Sequence, residues 1–155
     1  MNYKMTNNSE LDQIDRKIID CLAGDGRISV TDLAEKIGLS KTPTQLRLKR
    51  LQVEGFIEGI RAIISSAKLR MDHIAFVEVK LSDTRETALN KFNTAVRKVA
   101  EVEECHMIAG SFDYLLKVRT SDIKAYRQVL AEKISGLPHV ASTSTFVAMQ
   151  AVKER

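Results

Sequence analysis

Leu11, Ile14, Ile18 and Leu22 recur at spacings of three and four, which places one apolar stripe on a helix from about Asp12 to Ala23. Gly24 and Gly26 end it. Ser29 followed by Asp32 resembles a capping box and opens a short second helix, whose inner face is Leu33, Ala34 and Ile37. Gly38 stands where a helix C-terminus favours a left-handed residue, and Leu39 and Ser40 complete a tight turn. A third helix begins near Ser40 or Thr42. It carries Pro43 in its first turn, where the missing N–H costs nothing, and it runs through Gln52 to end before Gly55.

From Phe56 the rhythm changes. Phe56 to Ile60 and Ala62 to Ile64 have the apolar content of extended chain, and Ser65 to Asp72 form a linker. His73 to Leu81 alternate as a strand, and Thr84 to Ala100 place Ala88, Phe92, Ala95, Val96 and Val99 on one helical face. Glu104 to Ala109 and Asp113 to Thr120 are strands around a turn at Gly110-Ser111-Phe112. Ser121 caps a helix with Tyr126, Val129, Leu130 and Ile134, stopped by Gly136 and Pro138, and Val140 to Val152 close as a long strand. The order βαββαβ is the split ferredoxin-like arrangement. Its sheet has one face without helices, and an apolar face of that kind usually meets a second copy, so a homodimer is expected.

The fold class is therefore α+β: an N-terminal three-helix winged helix-turn-helix domain, then a C-terminal βαββαβ ferredoxin-like domain. The expected division is a flexible arm at 1–10, the helix-turn-helix domain at 11–60, a linker at 61–72 and the ferredoxin-like domain at 73–155.

Composition adds exclusions. With 44% apolar and 28% charged residues, the 155-residue chain has the make-up of a globular protein rather than a disordered one. No apolar stretch approaches the roughly 18 residues that span a bilayer, so no membrane partner is expected. Met1 to Glu10 are polar and lack the apolar core of a secretory signal, and Cys21 and Cys105 lie far apart. A cytoplasmic protein with two reduced thiols follows as the expectation. Three scattered histidines offer no ligand spacing, so neither a metal nor a cofactor is expected.

The net charge of +4 says less than its distribution. Lys36, Lys41, Arg47, Lys49 and Arg50 fall in a run free of acidic residues, bracketed by Glu35 and Glu54, whereas Asp12, Asp15, Asp20 and Asp25 make the first helix acidic. Short helix, glycine turn and basic third helix match the helix-turn-helix motif, whose second element enters the major groove of double-stranded DNA. At about 100° per residue, Thr44, Leu48 and Leu51 share an inner face. Thr42, Leu46, Lys49, Arg50 and Val53 then point outward. An outward Leu46 beside basic groups can touch a thymine methyl. The candidate DNA-contacting residues are Lys41, Thr42, Gln45, Leu46, Arg47, Lys49 and Arg50, with Arg47, Lys49 and Arg50 as phosphate or groove contacts. A basic run alone is more often a solvated helix face; the turn, the spacing and the missing acids favour DNA.

The second candidate site is the turn Gly110-Ser111-Phe112-Asp113. Gly110 permits close backbone approach, exposed N–H groups can hold a carboxylate, and Asp113 can pair with an ammonium. By turn preference alone, a plain hairpin with Asp113 as a local turn cap is the better fit. His106 reads as a packed or edge histidine, and Met107 and Met149 as core or interface filler.

The ordered set of these pieces resembles the Lrp/AsnC ("feast/famine") family of regulators over about Leu11 to Lys153. In the first domain it rests on Leu11-Asp12-Gln13-Ile14-Asp15-Arg16, Asp25-Gly26-Arg27-Ile28-Ser29, Gly38-Leu39-Ser40, Leu48-Lys49-Arg50-Leu51 and Gly55-Phe56-Ile57. In the second it rests on Phe92-Asn93-Thr94-Ala95-Val96, Glu104-Cys105-His106, Gly110-Ser111-Phe112-Asp113-Tyr114 and Leu137-Pro138. The resemblance implies a transcriptional regulator that dimerises through its C-terminal domain and assembles further into a disc of four dimers, an octamer. It also implies an amino-acid effector bound between C-terminal domains near Gly110, Ser111, Phe112 and Asp113. Two departures stand out: Ser111 occupies a position often acidic in relatives, and Thr44 and Gln45 positions often more apolar. Two other classes fit less well. An enzyme would need a phosphate-cradling glycine loop, a metal-ligand spacing or a nucleophile–base pair, and no such pattern is apparent. A module that dimerises and binds amino acids without DNA would leave Lys41 to Arg50 unexplained.

Overall fold

The computed structural model describes residues 11–154, so the arm expected at 1–10 lies outside the described residues. The chain divides into two compact units, with the boundary after Ile63.

The first unit holds α1 (Gln13–Gly24), α2 (Val30–Ile37) and α3 (Lys41–Val53). Ile18, Leu33, Ile37 and Leu51 form its buried centre, with Leu11, Ile14, Leu22, Leu48 and Ile57 packed around them. The starts of α1 and α2 follow side-chain capping, whereas Ser40 before α3 makes no such bond. Asp12 caps α1 in a true capping box, because its carboxylate takes the Asp15 N–H at 2.8 Å and Asp15 takes the Asp12 N–H at 3.2 Å. At Ser29 the box expected with Asp32 forms only by half: Ser29 Oγ accepts the Asp32 N–H, and the two side chains then bond each other. Gly38 ends α2 at φ 75°, the left-handed conformation expected of it. Residues 56–64, expected to be extended, join no sheet ladder. Instead Ile57 enters the helical core, and Ile60 lies against Gly26, where a Cβ would come within 2.8 Å of its methyl group.

The second unit is a four-stranded antiparallel sheet in the order β2-β3-β1-β4. Its strands are β1 (His73–Leu81), β2 (Val102–Met107), β3 (Tyr114–Thr120) and β4 (Val140–Val147). Its helices are α4 (Glu86–Val96) and α5 (Ile123–Val129), the latter continuing through one wide turn, Leu130–Ile134. Inward residues of β1 and β3 (Ala75, Val77, Val79, Leu116, Val118) meet Phe92, Val96, Tyr126 and Ile134 in one core. Several boundaries differ from expectation, and β2, expected over Glu104 to Ala109, spans Val102–Met107. Asp122, not Ser121, caps α5, since its carboxylate takes the Ala125 N–H at 2.8 Å and Ser121 bonds only Asp122. The helix expected over 84–100 is shorter, entered after Arg85 and tightening into turns beyond Val96. The strand β4 stops at Val147, because its partner β1 begins at His73 and supplies only one further bond, from Ala148 N–H to Ile74.

The helix-free sheet face, expected to be apolar, is of mixed character. One half carries Phe76 paired with Phe146. The other carries Lys117 and Arg119, which bind Glu103, Glu154 and, through Lys117, Glu104. A register shift between Val102 and Glu104 in β2 brings both neighbouring glutamates within reach of Lys117. Met107 and Met149 lie on the surface, outside the core.

Candidate nucleic-acid interface and ligand hairpin

The helix α3 separates its faces as the 3.6-residue period requires. Thr44 and Leu51 are wholly buried, and Thr44 Oγ1 donates to the Ser40 carbonyl at 2.9 Å, so this polar residue serves the core. Lys41, Thr42, Gln45, Leu46, Lys49 and Val53 are exposed, Leu46 to 65%. No residue of α3 is acidic. The outward face therefore offers cations, an amide, a hydroxyl and an apolar knob, the groups that bind phosphate, base edges and thymine methyls.

Arg47 and Arg50 depart from the expected arrangement. Both fold back onto α1. Arg47 bonds Asp12 at 2.6 Å and Asp15 at 2.9 Å, while Arg50 bonds the other Asp15 oxygen at 2.5 Å. Angular position put Arg50 with the outward set because it lies only about 40° from Leu46, but a long side chain need not follow its Cα. Asp15 is 1% exposed. Burial alone would raise its pKa; hydrogen bonds from Arg50, Arg47 and the Asp12 N–H outweigh that and hold it at about 2. The Asp15 N–H and Arg47 likewise lower Asp12. This joint was missed in the sequence, although a signal existed: acids three apart at 12 and 15 and arginines three apart at 47 and 50.

In the second unit the loop 108–113 joins β2 to β3, and Met107 and Tyr114 form the last ladder pair before it. Gly110 and Ser111 are exposed, Phe112 and Asp113 partly buried. A Cβ at Gly110 would make only an ordinary 3.6 Å contact with Ile108, so the subunit itself does not demand glycine there. Asp113 is stitched into the fold. Its N–H donates to Val79, its carbonyl accepts from Ile108, and its Oδ2 accepts the Leu81 N–H at 2.7 Å. That is the turn-cap role, extended to a neighbouring strand; Oδ1 has no partner among the described residues. An open cleft of about 500 Å³ runs from this ladder pair between α4 and β2, lined by Asn93, Arg97, Cys105, Met107 and Tyr114. Tyr114 Oη is buried beneath it without a hydrogen-bond partner. Burial also raises the Cys105 thiol. His106 is an exposed edge residue bonded to Glu104. Among the described residues no cluster of three or more His, Cys, Asp or Glu could hold a metal, and no helix is long and apolar enough to cross a membrane.

Two family models match the chain: a winged helix-turn-helix DNA-binding domain over residues 11–58, and the Lrp/AsnC ligand binding domain over residues 74–155. The proline dehydrogenase transcriptional activator of Rhizobium radiobacter is 68% identical over 145 residues, covering 94% of this chain and 93% of that protein. Among solved structures, an AsnC family transcriptional regulator from Agrobacterium tumefaciens is 31% identical with a TM-score of 0.87, covering 92% of this chain and 93% of that one. A transcriptional regulator of Neisseria meningitidis, solved in complex with L-Met, is 28% identical with a TM-score of 0.87, covering 94% of each.

The Asp15 joint carries a pH signature. A carboxyl lowered from 3.8 to about 2 on folding contributes stability that is complete above its unfolded value and lost as pH falls toward 2. The Asp15→Asn protein should therefore be less stable than the parent by about 2 kcal/mol at neutral pH. Denaturant titrations of both proteins should show the gap closing between pH 4 and pH 2. A constant gap would mean that the charge of Asp15 contributes nothing.

Proposed function

The chain belongs to the Lrp/AsnC family of DNA-binding transcriptional regulators with an amino-acid-binding domain, and from that premise we propose that it activates transcription of a proline dehydrogenase gene in response to proline. The observation that carries this reading is the 68% identity, over nearly the whole length of both chains, to a protein named for that activity. A regulator of proline breakdown is best informed by the substrate of the enzyme it controls, which makes proline the first effector to test. The chain is read as a cytoplasmic regulator without catalytic activity. It works as a homodimer that assembles to an octamer, placing two or more α3 helices on one duplex.

In this reading α3 lies in the major groove. Lys41 and Lys49 meet phosphates, Thr42 and Gln45 reach base edges, and Leu46 contacts a thymine methyl. The amino acid binds between C-terminal domains at Gly110-Ser111-Phe112-Asp113. Open backbone at Gly110 and Ser111 receives the carboxylate, and the unpartnered Oδ1 of Asp113 receives the ammonium. The cleft beneath, with Arg97 and Tyr114, supports placing a small polar ligand at this end of the sheet. Because the site joins subunits, its occupancy favours one packing over another and so shifts the heads. It does so only by its differential affinity for the two arrangements, a coupling of about 1–3 kcal/mol.

Fluorescence polarisation on the proline dehydrogenase promoter of the source genome tests the contacts. Lys49→Ala should weaken binding to every duplex and flatten the log–log salt slope by about 0.9 per lost phosphate contact. Leu46→Ala should instead change the ratio of promoter to random-duplex affinity. Equal losses on both duplexes for Leu46→Ala would remove it from the base-reading set.

The effector is tested with Gly110→Val, a cleaner variant than Asp113→Ala because Asp113 also holds Leu81. The variant should bind DNA as the parent does without proline, yet lose the effect of proline on binding or on sedimentation. A wild-type midpoint for proline in this variant would place the pocket elsewhere.

A further inference from the structure

The basic face of a DNA reader has a built-in conflict. Every arginine that reaches phosphate raises affinity for all sequences alike, because phosphate contacts carry no sequence information. The helix α3 has two arginines and two lysines, yet the arginines are engaged within the unit and the lysines are not. The geometry of that engagement is unusually complete. Asp15 uses one oxygen for Arg47 and the other for Arg50 and the Asp12 N–H, while Asp12 adds a second bond to Arg47.

Asp15 also lies in the first turn of α1, where the helix dipole favours an anion. Pulling both guanidiniums away would take two charge-assisted hydrogen bonds and the Asp12–Arg47 bond from the joint at once, and only water could replace them. A duplex phosphate, by contrast, keeps its water and counterions when no arginine arrives. The exchange therefore favours Asp15.

We propose that Asp15, assisted by Asp12, is a positioning residue that withholds Arg47 and Arg50 from the phosphate backbone and fixes the rotation of α3, so that its outward face alone meets DNA. This rests on the reading of α3 as the groove-entering helix. Its consequence is selectivity: two cations are used to orient the helix and are kept out of general attraction to DNA.

The test measures the full-length chain against a duplex of random sequence across a salt series, with thermal melts confirming that each variant is folded at the assay temperature. Arg50→Gln should leave the log–log slope at its parental value. Asp15→Asn keeps a hydrogen-bonding side chain but removes the charge, and should steepen the slope by about 0.9 for each freed guanidinium that finds a phosphate. It should also narrow the ratio between promoter and random-duplex affinities. A merely structural role would lower affinity without steepening the slope. If Arg50→Gln flattens the slope by about 0.9, Arg50 is a phosphate contact and the proposal is overturned. A folded Asp15→Asn protein with the parental slope overturns it equally. Should Asp15→Asn not fold, the Arg50→Gln result decides alone. If the parent itself shows no salt-dependent binding, or Lys49→Ala leaves the slope untouched, the reading of α3 has failed instead.

Discussion

A carboxylate shielded from water stays ionised when cations and N–H donors meet it, and Asp15 draws both of its cations from another helix. That constraint organises the first unit. The same side chain closes the capping box of α1 and receives Arg47 and Arg50 from α3, so one residue fixes where α1 starts and which way α3 faces. Apolar packing of Ile18, Leu33, Ile37 and Leu51 supplies the bulk of the cohesion, but such packing is non-directional and tolerates small rotations. Directional bonds to a single anion do not. The outward display of Thr42, Gln45, Leu46 and Lys49 depends on that lock.

The second unit solves a different problem. A four-stranded sheet covered by helices on one side must present its other face to something. Here that face is divided between an aromatic pair, Phe76 and Phe146, and a charge network in which Lys117 and Arg119 are bound by Glu103 and Glu154. Glu154 belongs to the segment after β4, so that segment is tied across the charged half. The aromatic half stays exposed, so the face is of mixed character rather than uniformly apolar.

Much of this was legible in the residue pattern. The three-and-four spacing of Leu11, Ile14, Ile18 and Leu22, the glycine at 38 and the alternation from His73 to Leu81 each specify an element through backbone geometry alone. The strand β1 falls on the expected residues because both its faces and both its ends are marked. What was not legible depended on long side chains and on partners distant in sequence. Arg50 points outward by helical angle, yet its guanidinium reaches an acid 35 residues away. Asp113 reads from the sequence as a local turn cap or a ligand group, but its bond to Leu81 exists only once β1 and β3 are paired. The end of β4 was likewise invisible, since a strand ends where its neighbour does. Periodicity reports which way a Cα faces; it is silent on where a flexible charge settles.

In the reading proposed above, α3 meets DNA with its outward face while its arginines stay on α1. Side-chain nitrogen–proton NMR correlation spectra of the full-length protein, recorded while a promoter duplex is added, address it at the atoms concerned. The guanidinium resonances of Arg47 and Arg50 should keep their positions and their rate of exchange with water, while the Gln45 amide and the Lys49 ammonium shift. Movement of both arginine signals at stoichiometric DNA, with Asp15 released to titrate at its ordinary value, would contradict it.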